Sequence, residues 1–270
     1  MNRTSVVSFV SFVVKKRTMP TPRIYLPATL TVGTEVALDA RAAGHAVRVL
    51  RLRIGDALTL FNGDGNDYAA ELTEVRREHA VCRILAAHER PTESPLTIEL
   101  AQGISRGERM DHTIQKAVEL GVQRIIPLAT ERSQVKLSGE REEKRLHHWQ
   151  GIILHACEQS GRSRIPELLP VQRLDQWLSG RSRNGHALFL DPEGDIGVSG
   201  LSAPVGSVSL LVGPEGGLSP AERALAVQAG FLRMRLGPRI LRTETAALAA
   251  LAALQGVWGD LNGERRHTPA

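Results

Sequence analysis

The chain has 270 residues, of which 42% are hydrophobic, 4% aromatic and 23% charged, with a net charge of +5 at pH 7. That length accommodates one large domain or two ordinary ones, and the modest basic excess favours a polyanionic partner. Two cysteines far apart, Cys82 and Cys157, with no Cys-x-x-Cys or Cys/His spacing, argue against a disulfide framework and a metal site and fit a reducing cytoplasm.

Residues 1–18 differ from the rest. Val6–Val14 is an apolar run followed by Lys15-Lys16-Arg17, too short to span a bilayer and with its basic residues on the wrong side for a signal peptide. Met19-Pro20-Thr21-Pro22 reads as a natural start, so 1–18 is expected to be a disordered extension or an upstream-start artefact. No other segment is apolar enough for a membrane.

Residues 20–90 read as short strands between turns. Leu58–Phe61, Tyr68–Val75 and Ala80–Ala86 are strand-like, and Asn62-Gly63-Asp64-Gly65 is a strong turn. This spacing predicts a small β-barrel or sandwich. Arg41, Arg48, Arg51, Arg53, Arg76, Arg77 and Arg83 give it positive charge, either a solvated surface or a nucleic-acid face. Residues 88–95, with two prolines, read as a linker.

From Leu96 strands and helices alternate. Strands are expected at Leu96–Ala101, Val122–Leu128, Ala187–Leu190, Val208–Val212 and Phe231–Leu236. Helices are expected at 112–120, capped by Asp111 and closed by Gly121, and at 140–160, with Trp149, Ile152, Ile153 and Ala156 on one face and Gly161 as C-cap. A further helix starts at Ser219, where Pro220 and Glu222 complete a capping box, and an Ala/Leu-rich helix covers 245–258. The pattern is α/β with a mostly parallel sheet.

Three strands end in turns rich in Gly, Pro or acid: 190–194, 212–217 and 236–242. Ligands of open α/β sheets bind beyond the carboxyl ends of the strands, and glycines let backbone approach them. Neither a phosphate-binding P-loop nor G-x-G-x-x-G is present, and Glu215 inside its turn would repel a phosphate. A neutral purine with a ribose and a cationic centre suits these turns better, and S-adenosylmethionine has that chemistry.

His112–Val122, His155–Arg162 followed by Ile165-Pro166, Leu211–Ser219 with Glu222, and Leu236–Ala246 (Leu-Gly-Pro-Arg-Ile-Leu-Arg-Thr-Glu-Thr-Ala) closely resemble, in this order along the chain, the bacterial 16S ribosomal RNA (uracil-N3)-methyltransferases of the SPOUT superfamily. The resemblance runs from about Pro22 to Trp258. It implies a PUA-like RNA-binding β-barrel over 19–90, a SPOUT methyltransferase domain with a trefoil knot over 91–262, a tail over 263–270, and a homodimer with the site at its interface. It also implies S-adenosylmethionine as cofactor, N3 of a uridine in 16S ribosomal RNA or the small ribosomal subunit as target, and a cytoplasmic location. The expected cofactor residues are Leu190, Val212, Gly213, Pro214, Glu215, Gly217, Leu236, Gly237, Ile240 and Leu241.

Uracil N3 carries a proton that must leave before it can accept a methyl group, so a base or anion-stabilising cations are needed. Glu158 and Glu244 are the candidate bases, and Arg162 and Arg242 the candidate catalytic cations. Arg23, Arg48, Arg51 and Lys116 are candidate RNA contacts, with Lys136 a further one. Helix-terminus hydrogen bonding is the alternative role for both glutamates. Alternatives for the whole chain are a SPOUT enzyme acting on a ribose 2′-hydroxyl or a guanine, and a non-catalytic RNA-binding assembly factor.

Overall fold

The computed structural model describes residues 21–76, 79–135, 137–181 and 184–263. The readings of residues 1–18, Arg77, Lys136 and the last seven residues lie outside the described residues. Among the described residues no helix is long and apolar enough to cross a membrane.

The N-terminal part is a five-stranded sheet. Its strands are β1 (Arg23–Tyr25), β2 (Glu35–Ala37), β3 (Ala57–Phe61), β4 (Asn66–Arg76) and β5 (His79–Glu89), in the order β1-β3-β4-β5-β2. The pair β1 and β3 is parallel and the other pairs are antiparallel. Alternating apolar residues turn Ile24, Leu58, Leu60, Leu72 and Ile84 into one core. The Asn62–Gly65 turn holds Gly63 and Gly65 at φ of 99° and 102°, which explains the glycines there. Short helix α1 (Ala40–Gly44), capped by Asp39, runs into a π-turn at His45–Val49. Strands β1 and β2 and helix α1 escaped the sequence reading because three to five residues carry too little periodicity.

The C-terminal part is a parallel sheet of β6 (Thr97–Gly103), β7 (Arg124–Ala129), β8 (Glu167–Leu168), β9 (Gln172–Arg173), β10 (Gly185–Leu190), β11 (Ser207–Val212) and β12 (Leu232–Met234). The order is β12-β10-β11-β6-β7-β8, with β9 also on β7. Being covered on both faces, its central strand β11 is buried without a break from Val208 to Val212. Leu100, Val208 and Leu210 face helices α2 (Glu108–Glu119), α3 (Glu140–Ser160) and α6 (Thr243–Trp258). Their neighbours Ala101 and Leu211 face α4 (Leu174–Gly180) and α5 (Pro220–Gln228) through Trp177, Ala226 and Phe231.

Several boundaries differ from expectation. Asp111 does not cap α2, which starts three residues earlier behind Gly107 at φ of 63°. Its carboxylate instead accepts from the Trp149 indole at 3.0 Å and pairs with His148 at 2.8 Å, fastening α3 to α2. Helix α6 begins at Thr243 rather than 245. Helix α3, its Gly161 C-cap at φ of 83°, and the Ser219–Glu222 capping box fall where the sequence puts them.

The expected linker is anchored. Arg90 Nε and Thr92 Oγ1 donate to the Gly161 carbonyl at 3.1 and 3.3 Å, and Ser94 Oγ donates to Gln255 at 2.6 Å. Beside it lies a buried polar seam between the two parts. Arg23 donates to Asp67 at 2.6 Å, to the Cys157 carbonyl at 2.9 Å and to Ser163 Oγ at 2.9 Å, and stacks over Phe61. Glu158 accepts from the Tyr25 amide and from Arg41, each at 3.0 Å. Both cysteine thiols are buried, and desolvation pushes each up to about 12.

Removing one partner of a buried pair strands the other charge. Asp67→Ala should therefore lower the unfolding free energy by about 3 kcal/mol, measured by urea denaturation. A loss under about 1 kcal/mol would mean the seam behaves as a surface pair.

Candidate active site

The carboxyl ends of β10, β11 and β12 meet beside that of β6, and the turns that leave β10, β11 and β12 wall a cavity of about 480 Å³. The turn after β11 is tight. The Gly217 amide donates to the Pro214 carbonyl at 2.8 Å, and Gly217 has φ of 66° with open space where a Cβ would project. A Cβ on Gly213 would stand 2.9 Å from the Gly217 carbonyl carbon, and one on Gly103 would stand 2.6 Å from Pro214. These two glycines exist so that backbone can pass backbone.

Two side chains lock this crossing. Thr243 Oγ1, at the start of α6, donates to the Gly213 carbonyl at 2.6 Å. Gln102 Nε2, at the end of β6, reaches Thr243 Oγ1 at 3.1 Å and the Gly213 carbonyl at 3.3 Å. The turn is held from outside as well. Glu215 accepts from the Arg106 amide at 2.8 Å and from Arg109 at 3.0 Å, while Arg132 donates to the Gly216 carbonyl at 2.9 Å. Glu222 caps α5 through Ser219 and also accepts the Glu131 amide at 2.8 Å.

The turn after β10 is built on Asp191, whose side chain is fully buried. It accepts the Glu193 amide at 3.0 Å and Arg233 Nε at 3.1 Å. Its own amide donates to the Met234 carbonyl, and the Arg235 amide donates to the Ile196 carbonyl, so the turns after β10 and β12 are laced together.

Burial raises the Glu215 carboxyl, but the Arg106 amide, its own amide and the Arg109 guanidinium outweigh that and hold it below the ordinary 4.5. Its second oxygen, Oε2, is buried with no hydrogen-bond partner, as is Oε2 of Glu244. Both residues line the cavity.

Leu190, Val212, Gly213, Pro214, Glu215, Gly217, Leu236, Gly237, Ile240 and Leu241 all line this one cavity, as do Arg242 and Glu244. Glu158 and Arg162 do not. Arg162 is 4% exposed, and its guanidinium is consumed by Glu93 and the carbonyls of Val118 and Val122. The expectation that it stabilises a reacting anion is therefore corrected to a structural tie. Glu158 is corrected in the same way, from candidate base to strut of the seam. Arg23 is bound inside that seam and is not an exposed RNA contact, and Lys116 is paired with Glu119 at 2.8 Å on its own helix. Arg48 and Arg51 are exposed on the N-terminal barrel.

The sequence reading missed Gln102, Asp191, Arg109 and Arg223 as wall or support residues. Two signals were present: Gln102-Gly103 ends a strand, and Asp191 opens an acidic turn. The arginines carried none, because their partners are more than 30 residues away. Among the described residues no group of three or more His, Cys, Asp or Glu is placed to hold a metal ion.

Residues 92–255 match the model of an RNA methyltransferase domain, and residues 38–85 that of an RNA methyltransferase PUA domain. The ribosomal RNA small subunit methyltransferase E of Buchnera aphidicola (Schizaphis graminum) is 36% identical, over 89% of this chain and 98% of that protein. The protein of the same name from Bacillus subtilis is 34% identical, over 78% and 85%. Among solved structures, Legionella pneumophila Lpg2936 in complex with the cofactor SAM superposes with a TM-score of 0.87 at 44% identity, covering 90% of this chain and all of that one. A ribosomal RNA small subunit methyltransferase E from Neisseria gonorrhoeae, bound to S-adenosyl methionine, gives 0.84 at 43%, covering 89% and 99%. The fold is thus the SPOUT-type α/β methyltransferase fold behind a PUA-like barrel.

A carboxyl held below its ordinary value contributes stability that is fully present above that value and is lost only as pH falls through the lowered one. The stability difference between the wild-type protein and Glu215→Gln should accordingly be constant from pH 8 down to about 5 and close only below the ordinary 4.5. Paired urea titrations across pH measure it, and a difference already gone at about pH 6 would contradict the latch.

Proposed function

The chain belongs to the RNA methyltransferase family, and on that premise we propose that it methylates N3 of a specific uridine in 16S ribosomal RNA with S-adenosylmethionine. The observation that carries the reading is the convergence of all ten expected cofactor residues on one cavity, which Arg242 and Glu244 also line.

The cavity fits that cofactor on its own terms. Gly217 and Gly237, at φ of 66° and 77° with nothing within 4 Å of a Cβ position, leave backbone open to a ligand. Acidic oxygens in the wall suit a cationic ligand and oppose a phosphate. Leu190, Val212, Leu236 and Leu241 supply apolar surface for a purine. S-adenosylmethionine supplies an electrophilic methyl group there.

What remains for the protein is the uracil. Glu244, in the first turn of α6 and lining the cavity, supplies the carboxylate that accepts the N3 proton. Arg242, exposed one residue before that helix, offsets the negative charge that deprotonation leaves on the ring. Holding base and ring in one cavity supplies orientation. Arg48 and Arg51 on the barrel, unlike Arg23 and Lys116, are available for phosphate contact.

The homodimer belongs to the same reading. Val257 and Leu261, each 53% exposed around the end of α6, are apolar surface that a second copy would cover. The domain division at about residue 90 and the cytoplasmic location also belong to it. Two apolar cores, one wholly before that point and one after it except for Phe61 and Tyr25, support the former, and a ribosomal substrate the latter.

Calorimetry with S-adenosylmethionine tests the proposal. The wild-type protein should bind, and Gly217→Val should bind about tenfold more weakly or worse, because a β-branched residue is strained at positive φ. No binding by an intact wild-type protein would refute the function. Glu244→Gln should lower kcat about a hundredfold, and an unchanged kcat would remove Glu244 as the base.

A further inference from the structure

We propose that the segment from Arg235 to Leu241 is an RNA-opening edge, in which Ile240 wedges into the stack beside the target uridine while Arg235 and Arg239 hold the flanking phosphates. The inference rests on the uridine-N3 reading and says how that atom, on the base-pairing edge, becomes reachable.

Three observations meet on this segment. First, Ile240 is 85% exposed although it borders the cavity. Second, Arg235, Arg239 and, directly after the segment, Arg242 border the same cavity, are exposed, and make no ion pair or side-chain hydrogen bond among the described residues. The segment holds no carboxylate, and α6 begins behind Arg242 without a side-chain cap. Its free N–H groups add to the positive potential. Third, the segment is held at both ends and stiff in between. The Arg235 amide is bonded to Ile196, Thr243 is locked on Gly213, and Leu236 packs against the core. Pro238 fixes one φ, and Gly237 takes φ of 77°. Ile240 is thus presented outward on a rigid support.

An apolar side chain between cations, at the mouth of the cavity, matches what a stacked nucleic acid requires of a protein that must extract one base. The wedge takes the place of the lost stacking partner, and the cations hold the backbone while it bends. A second copy of this chain is a poorer occupant, because it would bring the same unpaired positive charge to the same place.

The test compares two RNA hairpins of identical loop and flanking sequence, one with the target uridine paired and one with it opposite an abasic gap. Initial methylation rates are taken at saturating S-adenosylmethionine. In Ile240→Ala the ratio of the paired to the open rate should fall about tenfold or more relative to wild type. The ratio is insensitive to altered cofactor affinity, since both RNAs draw on the same donor. Ile240→Met, which keeps apolar bulk, should restore it. A ratio equal to that of the wild type overturns the wedge, whereas a wild-type protein that methylates neither RNA overturns the function on which the proposal rests.

A second readout needs no turnover. 2-Aminopurine beside the target in the paired hairpin should brighten on binding wild type and not on binding Ile240→Ala. Equal brightening overturns the proposal, as does sedimentation showing that Ile240→Ala converts a dimer to a monomer. For the cations, Arg235→Gln with Arg239→Gln should flatten the slope of log affinity against log salt by about 0.7 per lost phosphate contact. An unchanged slope removes them from the RNA.

Discussion

The carbonyl oxygen of Gly213 is the point on which the site depends. It accepts from Thr243 at 2.6 Å and from Gln102 at 3.3 Å, so one backbone group ties the end of β11 to the end of β6 and the start of α6. Those elements are far apart in sequence, and their convergence creates the cavity. The crossing leaves no room for a Cβ at Gly103 or Gly213, which is why glycine stands at both. Outside it, Glu215 with Arg106 and Arg109, and Arg132 with Gly216, keep the turn from swinging. The result is preorganised backbone with a few aimed oxygens, the kind of surface on which positioning replaces covalent help.

A second constraint sets the barrel against this site. Arg23, Asp67, Ser163 and Glu158 form a buried polar seam in which each charge has a partner across the boundary. A half-satisfied network of this kind is costlier than an apolar interface, so the seam favours one relative placement of the two parts. Basic residues exposed on the barrel, such as Arg48 and Arg51, therefore keep a fixed relation to the cavity. An enzyme that reads a large RNA needs such a fixed frame.

Much of this was legible in the sequence because it is written locally. The Ser219–Glu222 capping box, Gly161 at the end of α3 and the glycine-rich strand ends each declare themselves within ten residues. The four resembling blocks did the rest, and with the Gly-Pro turns they single out ten residues that line one cavity. What was not legible is long-range. Glu158 and Arg162 sit in a block that resembles a catalytic family, yet a carboxylate paired with Tyr25 and Arg41, and a guanidinium closed by Glu93, are visible only when residues 69 to 133 positions apart meet. Asp111 looked like a cap because the sequence shows its neighbours along the chain and not Trp149 across the groove. Charge in a sequence likewise says nothing of its partner, which is how Arg23 and Lys116 passed for free cations.

The chemistry then reduces to a division of labour. In the function proposed above, the turns after β10, β11 and β12 hold the methyl donor, Glu244 and Arg242 serve the uracil from the start of α6, and the exposed segment before that helix meets the RNA. The most direct test of the whole account is nucleoside mass spectrometry of 16S ribosomal RNA from cells with and without the gene. The account predicts one N3-methyluridine that disappears on deletion and returns with the wild-type chain but not with Glu244→Gln. An N3-methyluridine level unchanged by deletion, or loss of a different methylated nucleoside, would contradict it.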